Sequence, residues 1–226
     1  PYPGNAVANA NLPVFNRLMK AYPHCLLHAS GTAVGLPHGV IGNSEVGHMN
    51  IGAGTIVYQT LPRINTAITN GSFYDNPNVV AALEHCRQNN SNLHIMGCTS
   101  AGNVHSAMDH IFAILQMIQK NGFDGKKVFI HCFTDGRDTA PDSAKMFLDQ
   151  INQECKRKGI GRIATLIGRY YAMDRNNKWD RIQKAYDLLT KSVGQVFKDP
   201  IEALNFWYQK GITDEFMEPC VILGDD

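Results

Sequence analysis

The sequence predicts an α/β protein built on a parallel sheet, and three observations predict it. From Leu93 onward, short apolar runs alternate with longer stretches whose apolar residues recur at helical spacing. Glycines stand where these stretches should end, at Gly122 and Gly159. A content of 44% apolar residues over 226 positions supplies enough side-chain volume for a packed core. Repeated strand–helix units bury both faces of a parallel sheet under helices, giving three layers.

Taken in order, Pro13 to Tyr22 predicts the first helix, with proline in its first turn and Val14, Phe15, Leu18, Met19 and Tyr22 on one face. Cys25 to Ala29 reads as a strand. A glycine-rich loop then leads through Ser44 into a helix, and the pattern changes after the apolar run Thr55-Ile56-Val57-Tyr58. This change places a domain boundary between residues 1–58 and 59–226. Helices follow over Pro62 to Asn70 and Pro77 to Gln88, the second with Val79, Val80, Leu83 and Cys86 inward. Leu93 to Cys98 is a strand and Val104 to Lys120 a helix, which puts His105 at or near a helix start. Val128 to Phe133 and Ile163 to Ile167 are strands separated by a helix near Ser143 to Lys158. A helix over Lys178 to Thr190 is expected to bury Trp179, Ile182, Tyr186 and Leu189, and Asp199-Pro200-Ile201-Glu202 opens another with a cap and an early proline. Cys220 to Leu223 reads as a last strand.

Lysine and arginine number 21 against 20 acids, and no block of like charge occurs, which argues against a nucleic-acid or membrane surface. A small molecule is the expected partner, and a monomer in the cytoplasm the expected state. The six cysteines show no C-x-x-C spacing and read as buried thiols of a reducing compartment. The opening Pro1-Tyr2-Pro3-Gly4 lacks a signal-peptide layout and reads as the middle of a longer chain.

Chemistry concentrates in two places. In Gly42-Asn43-Ser44-Glu45-Val46-Gly47-His48, a serine sits among glycines where a loop becomes a helix, so unpaired amides face any anion in front of them. Ser44 is a candidate nucleophile, with His48 one turn on, or an ordinary helix cap. The glycine spacing is not that of a hydrolase elbow. The second place is the row of exits after the middle strands, where open α/β sheets bind ligands. They deliver His105, then Asp135-Gly136-Arg137-Asp138, then Arg169 and Asp174-Arg175. Taken singly, these residues tie turns or face water; together they form an anion pocket with bases inside it.

The same segments carry a resemblance. Gly42 to His48 with Asn50-Ile51-Gly52-Ala53-Gly54, Val104-His105-Ser106, Asp135 to Asp138 and Gly168 to Arg181 resemble, in order, the cofactor-independent phosphoglycerate mutases. Gly4 to Val7 and Gly211-Ile212-Thr213-Asp214-Glu215-Phe216 extend the likeness toward both ends. The resemblance implies an N-terminal piece of an alkaline-phosphatase-like domain, followed by most of an inserted substrate (transferase) domain. It implies a phosphorylated Ser44 that also touches one of two manganese ions, most of whose ligands this chain lacks. It implies substrate contacts at His105, Arg137, Asp138, Arg169 and Arg175, with Asp138 carrying the proton of the glycerate hydroxyl. The activity implied is interconversion of 3- and 2-phosphoglycerate, with little or none from this piece alone. Near His105 the family usually has aspartate, paired glycines and a second histidine, whereas here stand Ala101, Asn103 and Ala107. A phosphatase of the same superfamily and a noncatalytic phosphoacid-binding module are the alternatives.

Overall fold

A computed structural model of the chain describes residues 4–224. The opening Pro1-Tyr2-Pro3 and the closing dipeptide lie outside the described residues. The chain divides after Tyr58 into two compact units.

The first unit holds α1 (Ala6–Asn9), α2 (Pro13–Ala21) and α3 (Ser44–Ala53). Its buried apolar cluster is small, consisting of Val34, Leu36 and Val46. The expected strand at Cys25–Ala29 is not formed: the segment has no regular secondary structure and pairs with no strand among the described residues, and Leu26 and Leu27 are 95% and 84% exposed. A short apolar run favours an extended backbone, but a strand also needs a hydrogen-bonding neighbour. Cys25 is exposed with it, unlike the other five cysteines, which are buried and free.

The second unit runs through α4 (Thr60–Thr69), α5 (Pro77–Gln88), β1 (Leu93–Thr99), α6 (Met108–Lys120), β2 (Val128–Thr134), α7 (Ala144–Lys158), β3 (Arg162–Gly168), α8 (Arg169–Ala172), α9 (Trp179–Lys191), β4 (Gln195–Phe197), α10 (Pro200–Tyr208) and β5 (Cys220–Ile222). The sheet has the order β1-β2-β3-β5-β4. β1, β2 and β3 pair in parallel, as do β4 and β5, but β5 runs antiparallel to β3. The sheet is therefore mixed rather than wholly parallel. The reversal falls between β3 and β4, across α8 and α9: β4 already runs parallel to β5 and so against β3, and α10 lies on the crossover that joins β4 to β5. One main core packs Leu115, Ile118, Val128, Ile130, Leu148, Ile151, Leu166 and Leu204 between the sheet and its helices, and a second cluster of Ile167, Ala185 and Leu188 lies under α9.

Several helix faces differ from expectation. Trp179 and Tyr186 are 70% and 56% exposed, because the stripe of α9 that meets Ile167 is Ala185 and Leu188, three residues apart. Val80 on α5 is likewise exposed, while Leu83 and Cys86 are buried. α6 begins at Met108 rather than Val104, so His105 stands in the loop before the helix. His131 is a core side chain, with Nδ1 2.8 Å from the Thr165 hydroxyl and Nε2 2.9 Å from His94 Nδ1. Burial first, and the neighbouring His94 second, push its pKa down to about 4.

Candidate functional site

The carboxyl ends of β1, β2 and β3 lie side by side, because their parallel register pairs Thr99 with Thr134 and Thr134 with Gly168. Each exit contributes one part of a polar cluster. Asp135, directly after β2, is almost wholly buried. Its Oδ2 accepts from the Ser100 hydroxyl at 2.5 Å, and its Oδ1 accepts from the amides of Arg137 and Asp138 at 3.2 and 3.0 Å. From the β3 exit, Arg169 Nη1 donates to Asp135 Oδ1 at 2.6 Å and to Asp138 Oδ2 at 2.5 Å. Burial pushes the Asp135 carboxyl up, but these donors together outweigh it and hold the pKa below the usual value. Burial pulls the Arg169 guanidinium down, and both carboxylates more than restore it. The nearby Cys98 thiol is pushed up to about 11, chiefly by burial and then by Asp135, so it is no thiolate nucleophile at neutral pH.

Two acids thus share one guanidinium, with different consequences. Asp135 is fully engaged and shapes the turn. Asp138 keeps Oδ1 without a partner among the described residues, and His105 Nε2 stands 3.8 Å from its Oδ2. Asp138 and His105 are therefore neighbours, as the order of strand exits predicts. Asn103, in the loop that carries His105, has φ +57°. Asparagine tolerates this left-handed conformation better than most residues, so the loop turns here without a glycine.

Beside this cluster, Arg137, Arg169 and Arg175 line one hollow of about 240 Å³ together with Tyr170, Asn176, Arg181, Glu215 and Phe216. Arg137 approaches Glu215 only at 3.9 Å, and Arg175 has no ion-pair partner among the described residues. Those two guanidiniums are available to an incoming anion. Arg169 uses Nη1 on the acids and leaves Nη2 and Nε without a protein partner among the described residues.

Sequence reasoning assigned no role to Arg181, Glu215 or Phe216. The last two reach the hollow because the Asp214–Phe216 turn sits directly on two glycines. A Cβ at Gly168 would meet Glu215 O at 2.3 Å, and one at Gly136, with φ +63°, would meet Glu215 N at 2.6 Å. Asp214 anchors the turn from below: its carboxylate accepts from the Ala144 amide at 2.8 Å and from the Tyr208 hydroxyl, and its carbonyl accepts from Thr134 Oγ1 at 2.6 Å. The cue was the Gly211 to Phe216 segment, whose acid precedes the rim residues.

In the first unit, Ser44 opens α3 but is not its cap. Asn43 is, with its side chain accepting from the Val46 amide at 3.0 Å. The Ser44 hydroxyl is left free of that duty and lies 3.2 Å from His48 Nδ1. The same Nδ1 is 2.7 Å from the Ser44 carbonyl oxygen, which can only accept, so Nδ1 carries a proton and is not a base toward Oγ. His48 Nδ1 is thereby committed to the backbone of its own helix. Ser44 also lines an apolar cavity of about 670 Å³ with Leu27, Val34, Val46 and Ile51. Among the described residues, no three His, Cys, Asp or Glu side chains come together as a metal centre. None of their helices is long and apolar enough to cross a membrane.

Comparison with known proteins places these features in a family. Residues 64–226 match the family model described as the BPG-independent PGAM N-terminus. The 2,3-bisphosphoglycerate-independent phosphoglycerate mutase of Moorella thermoacetica is 50% identical over 222 residues, covering 98% of this chain and 43% of the relative. That of Lachnoclostridium phytofermentans is 46% identical with the same coverage. A crystal structure of Leishmania mexicana phosphoglycerate mutase at low cobalt concentration is similar with a TM-score of 0.77 and 27% identity, over 96% of this chain and 41% of that one. The chain spans less than half the length of the relatives it matches. With the family model covering most of its length and the sheet, exits and closing turn all in place, the chain belongs to the cofactor-independent phosphoglycerate mutase family.

Proposed function

We propose that, within a chain of the relatives' length, these residues interconvert 3-phosphoglycerate and 2-phosphoglycerate through a phosphoserine at Ser44. The observation that carries the reading is the gathering of Arg137, Arg169 and Arg175 around one hollow beside a half-free Asp138. A three-carbon acid bearing phosphate and carboxylate presents two anions, and two uncommitted guanidiniums with a third half-committed can pair with both. Ser44 Oγ gives up its proton as it attacks phosphorus, the bond from phosphorus to the substrate oxygen breaks, and that oxygen takes up one proton in turn to become a hydroxyl of glycerate. Glycerate, held by the arginines, presents its other hydroxyl. Asp138 Oδ1 accepts the proton from that hydroxyl as its oxygen attacks the phosphoserine, the bond from phosphorus to Oγ breaks, and Ser44 regains a proton.

The resemblance also implies manganese, with Ser44 among its ligands. The residues present do not form such a centre by themselves, so no step above passes through a metal. We further assign the protein to the cytoplasm as a monomer acting on small molecules and not on nucleic acid, which accords with its even charge.

Calorimetric titration with 3-phosphoglycerate, run beside a coupled assay, tests the reading. The 226-residue chain is expected to bind, and Arg137→Ala to weaken binding on the order of tenfold. Ser44→Ala should leave binding nearly unchanged, with little or no 2-phosphoglycerate formed by any of the three. Release of inorganic phosphate would favour a phosphatase instead. Binding indifferent to Arg137 would remove the hollow from the substrate site.

A further inference from the structure

Arg181 lines the hollow, yet its charge is already engaged. Its Nη1 donates to Asp174 Oδ1 at 3.1 Å, and its guanidinium carbon lies 3.9 Å from the centre of the Tyr170 ring. Asp174 is the hub of the segment that carries Arg175. Its side chain is 1% exposed, and its Oδ2 accepts from the amides of Asn176 at 3.0 Å and Lys178 at 2.9 Å, so residues 174–178 wind around one carboxylate. Within that turn Asn177 adopts φ +57°. Tyr170, on the other side of the guanidinium, packs against Tyr171 at 5.2 Å and Phe216 at 5.0 Å between ring centres. One side chain from the first turn of α9 thereby ties together α8, the loop between the two helices and the rim of the hollow. Arg175 sits between these anchors and makes no ion pair of its own among the described residues.

We propose that Arg181 is a positioning residue that presents Arg175 to the ligand, and that it does not grip the ligand itself; this rests on the reading of the hollow as the phosphoglycerate site. Without Arg181, Asp174 remains buried with no cation opposite it, and the loop wound around it loosens. Lysine is not a substitute. A planar guanidinium can lie flat on Tyr170 while one nitrogen reaches Asp174, whereas an ammonium is a single point charge.

Two measurements on the whole chain separate the outcomes. In the first, hydrogen exchange of the ligand-free protein is followed at the Asn176 and Lys178 amides. Arg181→Gln and Arg181→Lys are each expected to speed exchange at those two amides at least tenfold, while the amides of β2 and β3 keep their rates. Unchanged exchange at Asn176 and Lys178 overturns the proposal whether or not any ligand binds. In the second, 3-phosphoglycerate is titrated into wild type, Arg175→Ala, Arg181→Gln and the double variant. Each single variant is expected to lose on the order of tenfold in affinity, and the double variant to lose no more than Arg175→Ala alone. If Arg181→Gln costs as much in the Arg175→Ala background as in wild type, Arg181 contacts the ligand directly and the proposal fails. If wild type does not bind 3-phosphoglycerate, the functional reading fails, and the exchange rates still decide whether Arg181 holds the loop.

Discussion

Arg169→Ala is expected to be the most damaging single substitution in the second unit, removing 3-phosphoglycerate binding and lowering stability by about 3–5 kcal/mol. The side chain is only 10% exposed, and its Nη1 is the cation facing both Asp135 and Asp138. Deleting it leaves the buried Asp135 carboxylate without its counter-charge and frees Asp138 to rotate away from the place it holds beside His105. The sign of the pH dependence follows from Asp135, whose folded pKa lies below its unfolded value. The stabilisation it contributes is present above the ordinary carboxylate range and is lost as pH falls through the depressed folded value. Removing Arg169 raises that folded value, so wild type and variant should differ most at neutral pH and converge in acid. Urea unfolding at a series of pH values checks this. Equal midpoints at neutral pH would show that the guanidinium is not the keystone of the cluster.

Gly168→Ala should be nearly as harmful to binding, although no polar group is lost. The new Cβ would lie 2.3 Å from Glu215 O and 2.6 Å from Met217 N, both backbone atoms that cannot swing aside. The bond from the Gly168 amide to Met217 O, 2.7 Å long, would have to break for the Asp214–Phe216 turn to move away. Overpacking of this kind costs about 1–3 kcal/mol. Glu215 and Phe216 would leave the hollow with the turn. Gly97→Ala, in the interior of β1, is the control. Nothing lies within 4 Å of its added Cβ, so it should unfold at the wild-type midpoint or slightly above. Thermal unfolding of both variants, together with titration of 3-phosphoglycerate, measures the contrast. Similar behaviour of the two alanines would dismiss the seating of the turn on Gly168.

How far the sequence could be read follows from where each signal is stored. The longer helices of the second unit and the strands β1, β2 and β3 were legible because their periodicity, caps and closing glycines are local, whereas the four-residue α8 is too short to show a period; Asp199, accepting from the amides of Ile201 and Glu202, is one such cap. Strand direction is not local. Cys220 to Ile222 was recognisable as a strand, but nothing in its side chains states that it runs against β3. The three residues of β4, two of them exposed, carry too little pattern to be seen at all. In the site, the rule that parallel sheets bind ligands beyond their strand ends brought Arg137, Asp138, Arg169 and Arg175 into one search. It could not divide their labour. Whether an arginine is engaged or available depends on partners such as Asp135, 34 positions from Arg169, and only the folded register reveals them. Cys25–Ala29 marks the opposite limit, since an apolar run encodes a preference for extended backbone and not the neighbour that would make it a strand.

The most direct measurement is a crystal structure of the chain soaked with 3-phosphoglycerate. The expected result is ligand density in the hollow, with the two anionic groups within hydrogen-bonding distance of Arg137 and Arg175 and a ligand hydroxyl facing Asp138 Oδ1. Density for the ligand elsewhere, with both guanidiniums turned to solvent and the hollow empty at saturating concentration, would contradict the claim that these strand exits form a phosphoglycerate cradle.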